Sequence, residues 1–447
     1  MNHTADPIAD LALPAAELLA TPSLRRNFVW TMAGNVIYAA CQWGMLVAIA
    51  KLGTAVMVGQ FVLGLAVSAP VFMFTNLQLR AVEATDAKRK YRFGHYLGLR
   101  LLGSGIALAV IAGMIAFSGY RRETALVVLA VALAKAAESV SDVFYGLWQN
   151  RERLDKISIA MSCRGVGALA ALAAILYFTR DITLGVLAMA TVWLGWLLTY
   201  ERGVARRILA ASDPREFLRA EWDVARLRPL AWLALPLGVV ALVGSLNANI
   251  PRYFVEHYLG EAKLGYFAAM GYVVVAGNTL INALGQSASP RLARYYHSDR
   301  PAFTRLLLKM TALAVAFGAL GVLLAVLFSR PLLTLLYRPE YAAYADTFVW
   351  LAVAGVVNYV VSMLGYGITA AHFFRVQVPL QTAVCVAIAV ACWWFVPRET
   401  LTGAAQAVLI GGVVSCAGSV LILSYIPRPT ECRLADIPSA GESERED

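Results

Sequence analysis

The sequence predicts an all-α polytopic membrane protein: about twelve transmembrane helices in two six-helix bundles, related by a pseudo-two-fold axis along the membrane normal. Three observations predict it. Of 447 residues, 60% are hydrophobic and 15% charged, whereas a soluble domain is roughly half apolar and about a quarter charged. Twelve apolar windows reach the length of about 20 residues that a helix needs to cross about 30 Å of hydrocarbon. A basic segment near the middle of the chain leaves six of these windows on either side.

Residues 1–24 carry Asp6, Asp10 and Glu17 and no Lys or Arg. A signal peptide needs a basic start and a strong apolar core, so this stretch reads as a cytoplasmic tail with a short amphipathic turn around Leu11–Leu19. The N-terminal bundle, 25–200, takes windows at 27–50, 57–79, 95–117, 124–147, 158–178 and 182–200. Residues 201–228 read as a basic cytoplasmic linker with seven arginines. Within it, 213–228 suits an amphipathic helix offering Phe217, Leu218, Trp222 and Leu227 to the interface. The C-terminal bundle, 229–426, takes windows at 229–249, 264–286, 306–328, 344–366, 379–396 and 403–425, and 427–447 is an acidic, disordered cytoplasmic tail.

The basic residues orient these windows. With the N-terminus inside, cytoplasmic segments hold 26 Lys and Arg against 9 outside, a strong positive-inside bias. Both termini are then cytoplasmic, in a bacterial inner membrane. The net charge of +10 is explained by loops near anionic lipid, without nucleic acid as a partner. The six cysteines form no C-x-x-C pair and the five histidines are scattered, so no metal site is expected. A weak internal repeat supports the two bundles. Gly59-Gln60-Phe61 opens the second window, Gly265-Tyr266-Phe267 opens the eighth, and the same offset carries Asn76 onto Asn282. Six spans per half give parallel repeats with a cleft between them.

Ionisable groups inside spans are expensive and are functional candidates. Lys135, Glu138 and Asp142 recur at intervals of three and four in the fourth span, so they project from one helical face. That face either lines a cavity or is locked by a Lys135–Glu138 pair. Asp142 then needs a partner elsewhere, and Arg164 of the fifth span is the obvious one. Arg100 and Arg164 could instead snorkel to the headgroups. A second set of amides, Asn35, Gln42, Asn76, Gln78, Asn247, Asn249, Asn278, Asn282 and Gln286, gathers on the first two spans of each half. Amides bind sugar hydroxyls with both donor and acceptor groups, and they also serve as interhelical glue. Trp193, Trp196, Trp393, Trp394 and Tyr425 read as an interfacial belt.

Three stretches carry a family resemblance: residues 76–100, beginning Asn76-Leu77-Gln78-Leu79-Arg80; Ser245 to Phe254; and Asn282 to Arg294. They resemble the Wzx-type polysaccharide and O-antigen flippases of the multidrug/oligosaccharidyl-lipid/polysaccharide exporter superfamily. The resemblance implies two six-helix lobes that export an undecaprenyl-pyrophosphate-linked saccharide to the periplasmic leaflet, and it does not imply an enzyme. It implies a cationic central cavity, to which Arg80, Arg100, Lys135, Arg164 and Arg252 would contribute, with Asn35, Gln42, Asn76, Asn247 and Asn282 among the polar lining. Glu138 and Asp142 would carry a coupling H+ or Na+, with no other cofactor. The implied partners are the lipid-linked saccharide, anionic lipids, and a polymerase or other glycan-assembly membrane proteins.

Two alternatives stay open on the sequence. A multidrug/cation antiporter of the same superfamily would share the fold but needs a more acidic cavity. A membrane glycosyltransferase or ligase typically needs a sizeable outer loop or a paired-acid motif, and neither is visible.

Overall fold

A computed structural model describes residues 23–86, 90–212, 217–371, 373 and 376–425. The expected terminal tails lie outside the described residues. Every regular element described is helical. In chain order the helices are α1 (Leu24–Leu52), α2 (Ala55–Thr75), the short α3 (Leu79–Thr85), α4 (Phe93–Ser118), α5 (Arg122–Asn150), α6 (Leu154–Thr179), α7 (Ile182–Trp196) and α8 (Arg202–Ser212). The second half adds α9 (Val224–Leu259), α10 (Glu261–Ser298), α11 (Arg300–Leu336), α12 (Ala345–Ala370) and α13 (Gln377–Tyr425). Polar caps mark several starts. Thr54 Oγ1 accepts from the Met57 N–H, and Asp299 Oδ1 accepts from the Ala302 N–H at 2.9 Å, satisfying donors that a helix N-terminus leaves free.

Eleven of the described helical stretches are long and apolar enough to cross a membrane. One of them, α13, is two spans in one. Thr400 has φ 59° and ψ −136°, just after Pro397, which breaks the helix into two arms. The arms fold back on each other, with Gly411 against Ile388 and Gly418 against Leu380. Twelve arms that alternate in direction put Leu24 and Tyr425 at one end, the tail end; the opposite end is the far end.

The apolar core explains how the halves are joined. One buried cluster runs through both halves towards the far end, joining Met45, Ile49, Val58 and Phe61 to Val255, Leu264, Phe267 and Leu333. Towards the tail end lie two further clusters, one around Trp148 and Tyr96 that also takes in Leu230 and Ala234 at the start of α9, the other around Leu292 and Met363. The two halves therefore share a core at the far end, whereas at the tail end α9 alone joins the first half's cluster and the rest of the second half packs separately. The far end is also pinned by hydrogen bonds. Trp43 Nε1 donates to the Tyr337 hydroxyl at 3.2 Å, Lys51 Nζ to the Leu335 carbonyl at 2.8 Å, and Arg338 to the Lys51 carbonyl at 2.8 Å.

The weak repeat marks the join itself. A Cβ built on Gly59 would collide with the Glu261 carbonyl, and one built on Gly265 would collide with the Ala55 carbonyl. Both Gly59/Gly265 and Ala55/Glu261 are 206 residues apart. Reciprocal contact, in which i meets the equivalent of j and j meets the equivalent of i, is what a two-fold relation produces. Glycine is required there because the helix backbones touch.

The segment after the seventh arm's predecessor differs from expectation. The sixth span does not end at residue 200: α7 passes through a π-helical turn, Leu197–Glu201, into α8. The amphipathic helix is α8, whose Val204, Ala205, Ile208 and Leu209 are buried against the Trp148 cluster. Residues 217–223 are non-helical, and 213–216 lie outside the described residues. The linker docks instead through its backbone, the Glu221 N–H donating to the Gly94 carbonyl at 2.9 Å, with the Glu221 carboxylate 3.1 Å from His95 Nε2.

Candidate functional site

The charged face of α5 forms as its spacing predicts, and it is organised into two knots. In the first, Lys135 Nζ donates to Glu138 Oε2 at 2.6 Å, the Tyr38 hydroxyl donates to Glu138 Oε1 at 2.7 Å, and Arg164 of α6 approaches that oxygen at 3.7 Å. In the second, Asp142 is shared: Arg100 NH2 donates to Oδ2 at 3.0 Å, and Arg80 NH1 lies 3.5 Å from Oδ1. The expected partnership is thus corrected. Arg164 serves Glu138, not Asp142, because α6 meets α5 one turn closer to Glu138, while α4 and the α2–α3 turn face Asp142. That turn uses two consecutive left-handed residues, Leu77 and Gln78, both with φ 51°, which brings Arg80 back onto α5. Arg80 Nε also donates to Gln149 Oε1 at 3.1 Å.

Neither Arg100 nor Arg164 snorkels. Arg100 is 0% exposed and Arg164 2%. The Lys135, Glu138, Asp142 and Arg80 side chains are each about a quarter to a third exposed (24%, 25%, 31% and 34%). The wall therefore has a wet front row, Arg80, Lys135, Glu138 and Asp142, braced by a buried back row, Arg100 and Arg164. Asn76 ties the knots together. Its Oδ1 accepts from Ser139 Oγ at 2.5 Å, and Ser139 Oγ lies 3.0 Å from Ser104 Oγ.

Arg164 is caged by aromatic faces, with Trp193 at 5.0 Å and Tyr38 and Tyr145 at 5.6 Å from its guanidinium carbon. Cation–π attraction is strongest when desolvated. Trp193 is 2% exposed, so it belongs to the site and not to an interfacial belt; Trp393, Trp394 and Tyr425 are exposed. Behind the cage, Glu201 is fully buried and accepts from the Tyr145 hydroxyl at 3.0 Å. By its place in the sequence Glu201 belongs to the basic linker, 201–228. The π turn, a feature that often marks functional sites, carries it inward.

In the second half, Arg252 sits inside α9, which runs past the expected boundary to Leu259. Its NH1 donates to Asn249 Oδ1 at 3.0 Å. Its guanidinium lies 6.0 Å from the Tyr272 ring. Beside Arg252 a cavity of about 380 Å³ opens among α9, α10, α12 and both arms of α13, with Asn247, Asn278, Asn358, Gln381 and Ser415 in its lining. A second chamber of about 380 Å³ shares Gln381 and Ser415 and reaches Asn282, whose Oδ1 accepts from Ser362 Oγ at 3.1 Å. Asn35 is exposed and Gln42 half-buried on α1, and neither has a side-chain hydrogen bond among the described residues.

A family model for polysaccharide biosynthesis proteins matches residues 24–296. The chain belongs to that family. A relative, the capsular polysaccharide biosynthesis protein CapF of Staphylococcus aureus, is 26% identical over 393 residues, covering 87% of this chain and 96% of CapF. Solved structures share the fold. The lipid II flippase MurJ, in an inward closed conformation, has a TM-score of 0.70 at 12% identity, over 90% of this chain and 88% of MurJ. A transporter of the MOP superfamily from Pyrococcus furiosus has a TM-score of 0.61 at 15% identity, over 95% and 99%. A MATE transporter in complex with MaL6 has a TM-score of 0.59 at 15% identity, over 93% and 99%. This polysaccharide biosynthesis protein is therefore a multi-pass membrane protein with the exporter-superfamily fold.

Proposed function

We propose that the protein is a flippase. It moves an undecaprenyl-pyrophosphate-linked oligosaccharide from the cytoplasmic to the periplasmic leaflet of a bacterial inner membrane, with both termini in the cytoplasm and the two lobes alternating in access. Family membership and the likeness to CapF and MurJ support a carrier of lipid-linked saccharide.

The observation that carries the proposal is the positive excess on the walls. Five cations, Arg80, Arg100, Lys135, Arg164 and Arg252, are set against two directly paired carboxylates, Glu138 and Asp142. The excess remains when buried Glu83 and Glu201 are counted as ionised. A pyrophosphate cannot enter hydrocarbon without compensation, and Arg and Lys in a wet cleft provide it. Such a wall disfavours a cation antiporter. Arg80, Lys135 and Arg252 are the groups placed to meet phosphate; Arg100 and Arg164 hold the carboxylates in register. Coupling follows from the same geometry. A proton taken by Glu138 or Asp142, or a sodium ion held there, would release the paired cations to the substrate.

Flipping is tested in liposomes carrying a fluorescent lipid-linked oligosaccharide, by the fraction that becomes accessible on the opposite face. Lys135→Ala and Asp142→Ala each abolish transport and surface glycan, read per molecule of protein in the membrane. Normal glycan in both variants overturns the site. A deletion strain that still displays its lipid-linked saccharide on the periplasmic face overturns the function.

A further inference from the structure

The cavity beside Arg252 is unlike the charged wall it faces. Arg252 is the one charged residue among its lining residues. Its polar groups are largely idle. Asn278, Asn358 and Ser415 have no side-chain hydrogen bond among the described residues. Asn247 Nδ2 donates to Gln381 Oε1 at 2.5 Å, but Asn247 Oδ1 is buried without a partner. Buried polar atoms are almost always satisfied, so Asn247 Oδ1 calls for a donor from the cavity, and the free amides and hydroxyl around it can both donate and accept. The remaining lining is apolar, with Phe267, Val274 and Ile388, which suits the C–H face of a ring. A volume of about 380 Å³ falls within the range of about 300–1,000 Å³ typical of small-molecule sites. Small residues keep it open: a Cβ on Gly244 or Gly271 would meet nothing within 4 Å.

We infer that this cavity is a saccharide subsite, which takes the uncharged sugar residues nearest the pyrophosphate through Asn247, Asn278, Asn358, Gln381 and Ser415. The inference rests on the flippase reading above and gives its substrate a place. The first sugar is bonded directly to phosphate. Phosphate held by the cationic groups, with Arg252 itself lining the cavity, puts that sugar at the cavity mouth. The two halves then divide the headgroup, with phosphate on the cationic wall and sugar among neutral amides, which pair with hydroxyls as donor and acceptor at once. The second chamber, continuous through Gln381 and Ser415, extends the path for further sugars.

The test measures binding of two lipids to the full chain in nanodiscs: undecaprenyl pyrophosphate without sugar, and the lipid-linked oligosaccharide extracted from the producing strain. The wild type binds the sugar-bearing lipid about tenfold more tightly, the equivalent of one or two net hydrogen bonds. Asn358→Leu removes an amide at similar volume, and Gly271→Leu fills the cavity from an open position. Each erases that preference and leaves affinity for the bare lipid unchanged, which also shows that the variant is folded. Equal loss for both lipids, or no change for either, overturns the subsite. Equal affinity of the wild type for the two lipids overturns the subsite and leaves the flippase standing. Binding of neither lipid overturns the flippase reading and the subsite with it.

Discussion

The two halves have related architecture and use their polar residues in opposite ways. In the N-terminal half each side chain of the wall is held by at least one other: Lys135, Glu138, Tyr38 and Arg164 in one knot, Arg80, Arg100 and Asp142 in the other, Asn76, Ser139 and Ser104 between them, although Arg100 and Arg164 each keep two buried guanidinium nitrogens without a partner. In the C-terminal half Asn278, Asn358 and Ser415 stand around open volume. The contrast follows from cost. A charge in a low-dielectric interior must be paired and hydrogen-bonded, so a charged wall closes into a network. A neutral amide facing water loses little, so a cavity of amides can stay open. Charge handling and shape recognition are thereby separated onto different lobes.

The sharpest way to break the contrast is Arg164→Ala. It strips the buried back row of one cation and leaves Glu201 facing an emptied aromatic cage. Removing one partner of a buried ion pair costs about 3–5 kcal/mol, so thermal unfolding in detergent drops steeply and transport is lost. Arg164→Lys keeps the charge but not the planar stack on Trp193, Tyr38 and Tyr145, and loses about 1–2 kcal/mol. A variant with Arg164→Ala as stable as wild type would show that the cage is not a structural brace.

Asp142→Asn comes next. It leaves fully buried Arg100 without its carboxylate, while Arg80, a third exposed, turns to water. Transport falls strongly. Adding Arg100→Gln to Asp142→Asn recovers stability relative to Asp142→Asn alone, by about 1–3 kcal/mol, the size of coupling seen between groups in contact. Simple additivity would show that the pair is not coupled.

These partnerships mark the limit of what the sequence discloses. The twelve spans, the bend that separates the last two, and the common face of Lys135, Glu138 and Asp142 follow from apolar length and helical period, both properties of a one-dimensional string. The partner of Arg164 does not, because it depends on the register in which α6 packs across α5. Glu201 was hidden among linker arginines, since a π turn changes direction without a composition signal. Trp193 has the look of a belt residue, and only the proximity of Arg164 reveals its role. Asn358, Gln381 and Ser415 are polar residues scattered over three apolar arms, with no spacing to join them. In contrast, Gly59 and Gly265 were legible as a repeat, and the fold gives the repeat its meaning.

That repeat supplies a smaller, symmetric test. Gly59→Ala and Gly265→Ala each force a methyl into a backbone carbonyl at the far-end join. Overpacking costs about 1–3 kcal/mol, and here it acts on the seal between the halves. Both variants widen the far end, read as a longer spin-label distance between the exposed positions 178 and 335, and by similar amounts because the two sites are reciprocal. A shift in one variant alone would break the two-fold relation at the join.

The smallest effect compares the asparagines that the same offset relates. Asn76 and Asn282 each accept from a serine of a neighbouring span, Ser139 and Ser362. Ser139 is buried and also bonds Ser104, whereas Asn282 is exposed. Interhelical hydrogen bonds in membrane proteins average about 0.6 kcal/mol each. Ser139→Ala therefore loses two bonds inside the charged wall, about 1 kcal/mol, and lowers transport because Asn76 no longer spaces the two knots. Ser362→Ala loses one bond that water replaces, and falls below about 0.5 kcal/mol. Equal losses at the two serines would mean that burial does not distinguish the halves, and the division between a wired wall and an open cavity would have to be given up.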